Sequence, residues 1–406
     1  MEGRSKKKPK AKLGWLPRIV CIMLPLLLLG AGCWLYCGHV SKNVEEAARL
    51  RDHYQAYADD EALWIMNSQL DNGALPHVPI THGQVWVNPY FSLNAALALV
   101  AYGSPESLEA AKNYLKWHCE HMNAAAPDNQ GLLYTIYDHT LLVEEGRVID
   151  EKSNESYDSA DSYAALLIKL LHSYTVKTGE HDVAAAYYGA FSGAVDVLEA
   201  LMNSGLTYAT IQYPVFYLMD NCEVYAGLCA AAALMEEVYI PMDDTGAMGM
   251  QYARVIGLRD EVGGAIEDIL WNPEENRYEY AVQGDMAFPF DQGNLYPEGV
   301  SQLSPILWGV SEEERSRQLY ETFCQRHQWW NVDAQATWGM CVYAAAILGD
   351  MERTGEYFSD LESKVLAERA YPYYNGEAAC ILQAALACVD HYQAQMDKLD
   401  PLRLYH

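Results

Sequence analysis

The spacing of apolar residues is the feature that most constrains this chain. After residue 42, apolar residues recur at intervals of three and four, and short breaks rich in Gly, Pro, Asn and Asp separate the segments. This period predicts helices, and no long segment alternates as a half-buried strand would. The breaks delimit about twelve helices, at residues 43–70, 89–102, 104–123, 158–178, 180–203, 219–239, 243–270, 299–310, 311–327, 333–348, 350–366 and 375–397.

The connections between these helices alternate in character. The joints at Gly103-Ser104, Gly179-Glu180 and Gly349-Asp350 are tight, whereas the intervening loops are long and carry aromatic residues, Asp, Asn and Gly. Helices that follow long loops are also the more apolar, as in 95–99 and 342–347, and a helix that is apolar all round belongs inside a protein. The sequence therefore predicts an all-α ring of six helical hairpins, one domain over 43–397, with a tail at 398–406.

The amino terminus has the pattern of a membrane anchor. Seven basic residues and one acidic residue occupy positions 1–18, and positions 19–41 hold no Asp, Glu, Lys or Arg. A charge-free run of this length spans a bilayer, and its basic flank stays in the cytoplasm. We expect a cytoplasmic tail at 1–18, one transmembrane helix at 19–41 and an extracellular globular part. Cleavage or lipidation is the alternative, because Leu26 to Leu29 precede Gly30-Ala31-Gly32-Cys33.

Charge and composition exclude several classes of function. The net charge of −28 includes the basic tail, so the remainder is more acidic still and repels nucleic acid and polyanions. The seven cysteines beyond residue 41 form no CxxC pair and are expected to be buried thiols. His77, His82 and His139 lie in predicted loops without a tight ligand cluster, and neither a P-loop nor GxGxxG occurs. No metal and no cofactor is expected.

Two motifs resemble a known superfamily. Residues 157–166 (YDSADSYAAL) look like the Asp-rich start of an inner helix in the six-hairpin glycosidases, and 217–228 (YLMDNCEVYAGL) is similar to uncharacterised bacterial membrane-anchored toroids. The resemblance covers about 43–397 and implies an (α/α)6 toroid. Glycoside hydrolase family 8 is the named relative, but its general acid opens the first inner helix as Glu, and residues 87–94 read VNPYFSLN here. No catalytic acid is carried over from that family.

Acidic residues collect at the predicted starts of the inner helices, the rim where a toroid has its cleft. Asp158 with Asp161 and Asp220 with Glu223 are spaced by three, which puts each pair on one helix face; helix capping uses the same spacing. The predicted catalytic residues are Asp161, Glu223, Glu298 and Asp333. The predicted substrate-binding residues are Asp158, Asp220, Asn88, Tyr90, Trp86, Tyr217, Trp330, Tyr374 and Glu377.

These features predict a membrane-tethered glycoside hydrolase. Carboxyl groups on different inner helices favour the wide separation of inverting enzymes. The expected substrate is a neutral or partly cationic polysaccharide outside the cell or in its wall, and an exopolysaccharide synthesis or export complex is a further expected partner. Two alternatives remain open: a non-catalytic carbohydrate-binding toroid, and a polysaccharide lyase or sugar epimerase on the same fold.

Overall fold

The computed structural model describes residues 15–243, 245–333 and 336–399, with side chains from Val40 onward. The described chain is mostly helical. Its α-helices are α1 Trp15–Ser68, α2 Pro89–Tyr102, α3 Pro105–His121, α4 Ala160–Thr178, α5 His181–Ala186, α6 Tyr188–Leu201, α7 Leu218–Leu234, α8 Met248–Ala265, α9 Ser304–Leu307, α10 Glu313–Arg326, α11 Gly339–Leu348, α12 Met351–Leu361 and α13 Asn375–Leu399. Four π-helical segments lie at Met235–Tyr239, Ile266–Leu270, Leu295–Gly299 and Glu362–Leu366.

Residues Tyr54–Val389 form one compact unit, and the described residues on either side of that range belong to a second. Within the larger unit α2, α4, α7 and α11 are mostly buried, whereas α3, α10 and α12 bury one face only. Inner and outer helices therefore alternate along the chain. This arrangement is consistent with the predicted all-α toroid; the predicted domain limits of 43 and 397 stay predictions.

The inner helices pack closely where a glycine lies at the contact. A Cβ on Gly227 of α7 would lie 2.7 Å from the carbonyl oxygen of Ala165 on α4, and one on Gly376 of α13 would lie 2.7 Å from the ring of Phe91 on α2. Helix axes approach this closely only where side chains are minimal. Apolar, alanine-rich segments therefore become the inner layer.

The tight joints are left-handed helix ends. Gly103 ends α2 with φ 77° and donates its N–H to the Leu99 carbonyl, and Gly179 ends α4 with φ 73° in the same way. Glycine adopts this conformation without the steric cost that a Cβ imposes. The predicted reversals at these positions are confirmed, and they leave the long loops at the opposite helix ends.

Those long loops contain strands that the sequence reading missed. Strands β1 His82–Val87, β2 His139–Glu144 and β3 Arg147–Ser153 form an antiparallel sheet in that order. In β2 the three consecutive apolar residues 141–143 break the apolar-polar alternation that predicts a strand. In β3 most residues are exposed, so it has no apolar face to recognise. Strands of two or three residues lie at Met202–Asn203, Leu206–Thr207, Phe216–Tyr217, Trp271–Asn272, Arg277–Tyr278, Ala281–Gln283 and Met286–Ala287.

Two predicted helices differ from the structure. Residues 299–310 contain only the short α9, preceded by a π-helical segment. The helix predicted from residue 333 begins at Gly339, because Trp338 adopts a left-handed conformation (φ 52°) and Asp333 pairs with Ala336 in an isolated β-bridge. Asp333 is therefore an exposed loop residue and not a helix start.

The predicted tail 1–18 and the predicted anchor 19–41 lie almost wholly outside the residues whose side chains are described, as does most of the 398–406 tail. Among the described residues, no helix combines the length and apolar character needed to cross a bilayer.

Candidate functional site

The carboxyl-rich rim is built where β2 meets the starts of α2 and α4. Asn88 caps α2 by accepting from the backbone N–H of Tyr90 at 2.9 Å, and its amide donates to Asp138 Oδ2 at 3.4 Å. The Tyr163 hydroxyl of α4 donates to Asp138 Oδ1 at 3.0 Å. Burial raises the pKa of Asp138 to about 6, although the hydrogen bonds from Tyr163 and Asn88 lower it. Asn88 is thus a cap whose amide also holds a buried carboxyl.

Asp161 is fully buried at the first turn of α4. Its Oδ1 accepts from the Ser159 hydroxyl at 2.7 Å and from the Ser162 backbone N–H at 2.9 Å, and its Oδ2 accepts from the Thr207 hydroxyl at 2.7 Å. Burial raises its pKa to about 6 despite these donors. Both oxygens are committed to the protein, so Asp161 joins α4 to the strand at Leu206–Thr207 and does not reach solvent.

Ser159 links Asp161 to the start of α7. Its hydroxyl lies 2.7 Å from Asp161 Oδ1 and 3.0 Å from Asp220 Oδ2. One hydroxyl hydrogen points to one acceptor at a time, so the two carboxyl groups compete for it, and a proton on either of them would relieve the competition. Burial, and after it the charges of Asp161 and Glu223, raise the pKa of Asp220 well above its usual range. Asp220, which is partly exposed, is therefore the carboxyl group of this pair that more readily keeps a proton.

Glu223 lies one turn below Asp220 and is 1% exposed. Its Oε1 accepts from the Tyr90 hydroxyl at 2.8 Å, whereas Oε2 and the hydroxyl of Ser162 are buried without hydrogen-bond partners. Burial raises the pKa of Glu223 to about 8, whereas the hydrogen bond from Tyr90 lowers it. Burial therefore favours the neutral form of this carboxyl group, which links α7 to α2 through Tyr90.

Asp158 is the exposed member of this group of acids, immediately before α4. Its charge helps to raise the pKa of both Asp138 and Asp220, so its carboxylate lies near them. Tyr296, which is 51% exposed, has its pKa raised by burial and by the charges of Asp158 and Asp220. Asp158, Asp220 and Tyr296 thus face one solvent-accessible region, and the sequence reading missed Tyr296.

Aromatic rings flank the rim. Trp86 of β1 is 43% exposed and stacks on His77 at 4.7 Å, and Tyr374 lies 5.1 Å from the same imidazole. Tyr217, directly before α7, stacks with Tyr213 at 6.5 Å. Exposed aromatic faces of this kind suit the apolar faces of sugar rings.

The other predicted residues are placed differently. Glu377 Oε2 accepts from the Thr337 hydroxyl at 2.5 Å and from the Gly339 backbone N–H at 2.6 Å, so it caps α11 from α13. Glu298 is 6% exposed and accepts from the Asn294 amide at 2.6 Å. Trp330 packs under the guanidinium of Arg353 on the outer helix α12, at 4.9 Å.

A cavity of about 480 Å³ lies among the inner helices. Tyr90, Tyr374 and Glu377 line it together with apolar residues such as Leu97 and Val100. These three predicted substrate-binding residues therefore share a cavity, although Glu377 also caps α11.

One group of described residues has the composition of a metal site. Donor atoms of His121, His139 and Glu151 all lie within 4.8 Å of one another. The sequence reading considered His139 and predicted no metal. It missed this group because the three residues come from α3, β2 and β3, and two of these elements are strands that it did not predict.

No family model and no curated protein matches this sequence. Solved structures do. A wild-type glycosidase matches with TM-score 0.56 and 12% identity over 88% of this chain and 99% of its own. A GH63 mannosylglycerate hydrolase from Thermus thermophilus, in complex with glucose, matches with TM-score 0.50 and 12% identity over 81% and 98%. An uncharacterised conserved protein from the same organism matches with TM-score 0.51 and 10% identity over 80% and 98%.

At such identities the likeness is one of fold. The chain has the helical fold of these glycosidases over most of its length, which agrees with the superfamily resemblance of its motifs. Because folds host several chemistries, activity has to be argued from the site itself.

Proposed function

We propose that this protein is a glycoside hydrolase in which Asp220 is the general acid and Asp158 the general base. The observation that carries the proposal is Asp220 itself, which shares the Ser159 hydroxyl with Asp161 and whose raised pKa favours a protonated carboxyl at the rim. A neutral acid beside an ionised carboxylate is the pair that glycoside hydrolysis needs.

The roles follow from exposure. Asp161 and Glu223 were predicted as catalytic from their spacing, but both are buried. Hydrogen bonds occupy both oxygens of Asp161, and Tyr90 binds one oxygen of Glu223. Asp158 and Asp220, predicted as substrate-binding residues, are the members of each pair that solvent reaches. In the proposed arrangement the buried carboxyl groups of Asp161 and Glu223 keep the partly exposed carboxyl group of Asp220 protonated.

The proposed reaction is a single displacement. Asp220 gives its proton to the glycosidic oxygen as the bond to the anomeric carbon breaks, and Asp158 takes a proton from the water that attacks the opposite face. The products are a free alcohol and a sugar of inverted anomeric configuration, and the two carboxyl groups have exchanged protonation states. Proton transfer from Asp158 to Asp220 through solvent resets the site.

The proposed substrate is a neutral or partly cationic polysaccharide. The net charge of −28 disfavours polyanionic chains, and the exposed rings of Trp86 and Tyr296 provide stacking surfaces near the acids. We also propose that residues 19–41 tether the enzyme to the membrane with its globular part outside the cell, on the strength of their charge-free sequence. The intact mass of membrane-extracted protein tests the tether, because a chain starting at or after Cys33 contradicts it.

Incubation of the detergent-purified chain with a panel of polysaccharides, with measurement of reducing ends, tests the activity. Asp158→Asn and Asp220→Asn should each lower turnover by about 10²-fold or more, because each removes a proton-transfer role. Asp182→Asn is the matched control, an exposed acid in the first turn of the outer helix α5, and should leave turnover unchanged.

The anomeric configuration of the first product, followed by NMR, tests inversion. Wild-type turnover in both rim variants would reject these roles. Binding to a glycan without release of reducing ends would favour the non-catalytic toroid, and products with an unsaturated sugar end would favour the lyase.

A further inference from the structure

A second site lies in the sheet behind the rim, at the end of α3. His121 is the last residue of α3, His139 is the first residue of β2, and Glu151 lies in β3. Their donor atoms lie within 4.8 Å of one another, and His121 Nε2 is 3.2 Å from Glu151 Oε1. We propose that these three side chains bind a divalent transition-metal ion, with Zn²⁺ as the best match.

Both imidazoles are held in the tautomer that metal binding requires. His121 Nδ1 lies 2.6 Å from the Trp117 carbonyl oxygen, and His139 Nδ1 lies 2.9 Å from the Tyr137 carbonyl oxygen. A carbonyl only accepts, so each Nδ1 carries the hydrogen. In the neutral rings the Nε2 atoms hold the free lone pairs. Histidine ligands in metal sites are oriented by this kind of Nδ1–H to carbonyl bond.

The carboxylate is oriented by its own partners. Trp117 Nε1 donates to Glu151 Oε1 at 3.1 Å, and the Asn72 amide donates to Oε2 at 3.1 Å. Hydrogen bonds to a ligating carboxylate are the usual outer layer of a metal site. Two imidazole nitrogens and one carboxylate are a frequent zinc ligand set, with water completing the coordination.

Access and packing also suit an ion. The side chains of His121 and Glu151 are 26% and 23% exposed, so an ion can enter and keep a water ligand, while His139 is 6% exposed. An ion pair between His121 and Glu151 explains two of these residues. The buried His139 ring packs edge-on against Trp117 at 5.4 Å and against His121 at 5.2 Å, and this packing holds a third donor beside that pair.

The consequence of binding is local order at the rim. The ion ties the last turn of α3 to β2 and β3, and His139 directly follows Asp138, the buried acid held by Asn88 and Tyr163. The ion is thus a structural clamp. The proposal does not depend on the hydrolase assignment, because metal binding is measured without a substrate.

The test uses the full chain purified in detergent without a polyhistidine tag and stripped with a chelator. Titration calorimetry with Zn²⁺ should show one site, and Co²⁺ should give the visible absorption of a low-coordinate complex. His121→Gln and Glu151→Gln should each weaken binding by about 10²-fold, as loss of a ligand does at least as much as loss of its outer partners. His82→Gln, at an exposed histidine of β1, is the matched control and should bind as the wild type does.

His139→Gln changes a buried residue, so its Zn²⁺ affinity counts only if its circular dichroism spectrum matches that of the wild type. Equal Zn²⁺ affinity in the wild type, His121→Gln and Glu151→Gln would overturn the proposal, as would the absence of a saturable site. The group would then be a hydrogen-bonded His-Glu pair with no metal role. A Zn²⁺-dependent rise in thermal midpoint that is lost in both variants and kept in the control would support the clamp.

Discussion

The buried carboxyl of Glu223 offers the sharpest test of the electrostatics at the rim. Glu223→Gln replaces a neutral carboxyl by a neutral amide of the same shape. The amide oxygen can accept from the Tyr90 hydroxyl as Oε1 does, and the amide nitrogen can donate to the hydroxyl of Ser162, which now has no partner. Packing is retained, so the change isolates the free energy of keeping a proton on a buried acid.

The magnitude follows from the pKa, which burial raises from 4.5 to about 8. Because the folded pKa is the higher, the stabilisation by this group is complete below the unfolded pKa and is lost as pH rises through the folded value. A tenfold change in proton affinity is worth about 1.4 kcal/mol, so the loss is about 3 to 4 kcal/mol at pH 7.5 and below about 1 kcal/mol at pH 5. The amide of the variant does not titrate in this range, so the variant avoids the loss.

Thermal unfolding at pH 5 and pH 7.5 measures the difference. Glu223→Gln should raise the midpoint by about 5 °C at pH 7.5 and change it little at pH 5. Glu109→Gln, at an exposed acid on α3, should change neither. A lower midpoint at both pH values would show that Glu223 is ionised and stabilising in the folded protein. An equal gain at both would show that the gain does not come from the titration of Glu223, and would also refute this account.

Three further substitutions test the helix packing and another buried acid, Glu61. Gly227→Ala should destabilise the fold by about 1–3 kcal/mol in thermal unfolding, because its Cβ would lie 2.7 Å from the Ala165 carbonyl oxygen. Gly257→Ala, at a position in α8 with open space around it, should instead stabilise the fold by about 0.5–1 kcal/mol. Arg369→Gln should cost about 1–3 kcal/mol near neutral pH, because it removes the donor 2.7 Å from fully buried Glu61 and leaves that carboxyl group without one of its partners. Burial already raises the pKa of Glu61 to about 7, so mild acid should recover part of that stability; a loss independent of pH would contradict this account.

Helix positions were predictable because the inner helices satisfy several local rules at once. The predicted helix 89–102 coincides with Pro89–Tyr102, where Asn caps the start, Pro occupies the first turn and Gly ends the helix. The predicted 375–397 corresponds to Asn375–Leu399. Prediction failed where tertiary contacts decide the boundary. The start of α11 at Gly339 depends on Glu377, a residue on another helix, and no local signal near 333 reveals it.

The candidate site was predictable in position but not in detail. Acids at the starts of α4 and α7 were identified from spacing, and the structure brings Asp161 and Asp220 together through Ser159. Spacing could not tell which member of each pair is buried. It also could not find Asp138, whose role depends on the pairing of β2 with β1, or Tyr296, which enters the site from the π-helical segment Leu295–Gly299, far along the chain.

The hydrogen-bond partners of each acid at this rim distinguish a helix-capping role from a catalytic one. Acids are favoured at helix N-termini because backbone N–H groups there lack partners, so a ring of such ends gathers carboxylates whether or not a reaction occurs. Glu377 serves α11 and Asp161 serves α4 with hydrogen bonds to backbone N–H groups. Asp220 accepts no hydrogen bond from a backbone N–H that the structure records among the described residues, and its recorded contact is with the Ser159 hydroxyl that also faces Asp161. A carboxyl group that caps no helix, has a raised pKa and is partly open to solvent is suited to give a proton to a bound substrate, and this is the physical reason to look for the acid of a reaction at Asp220.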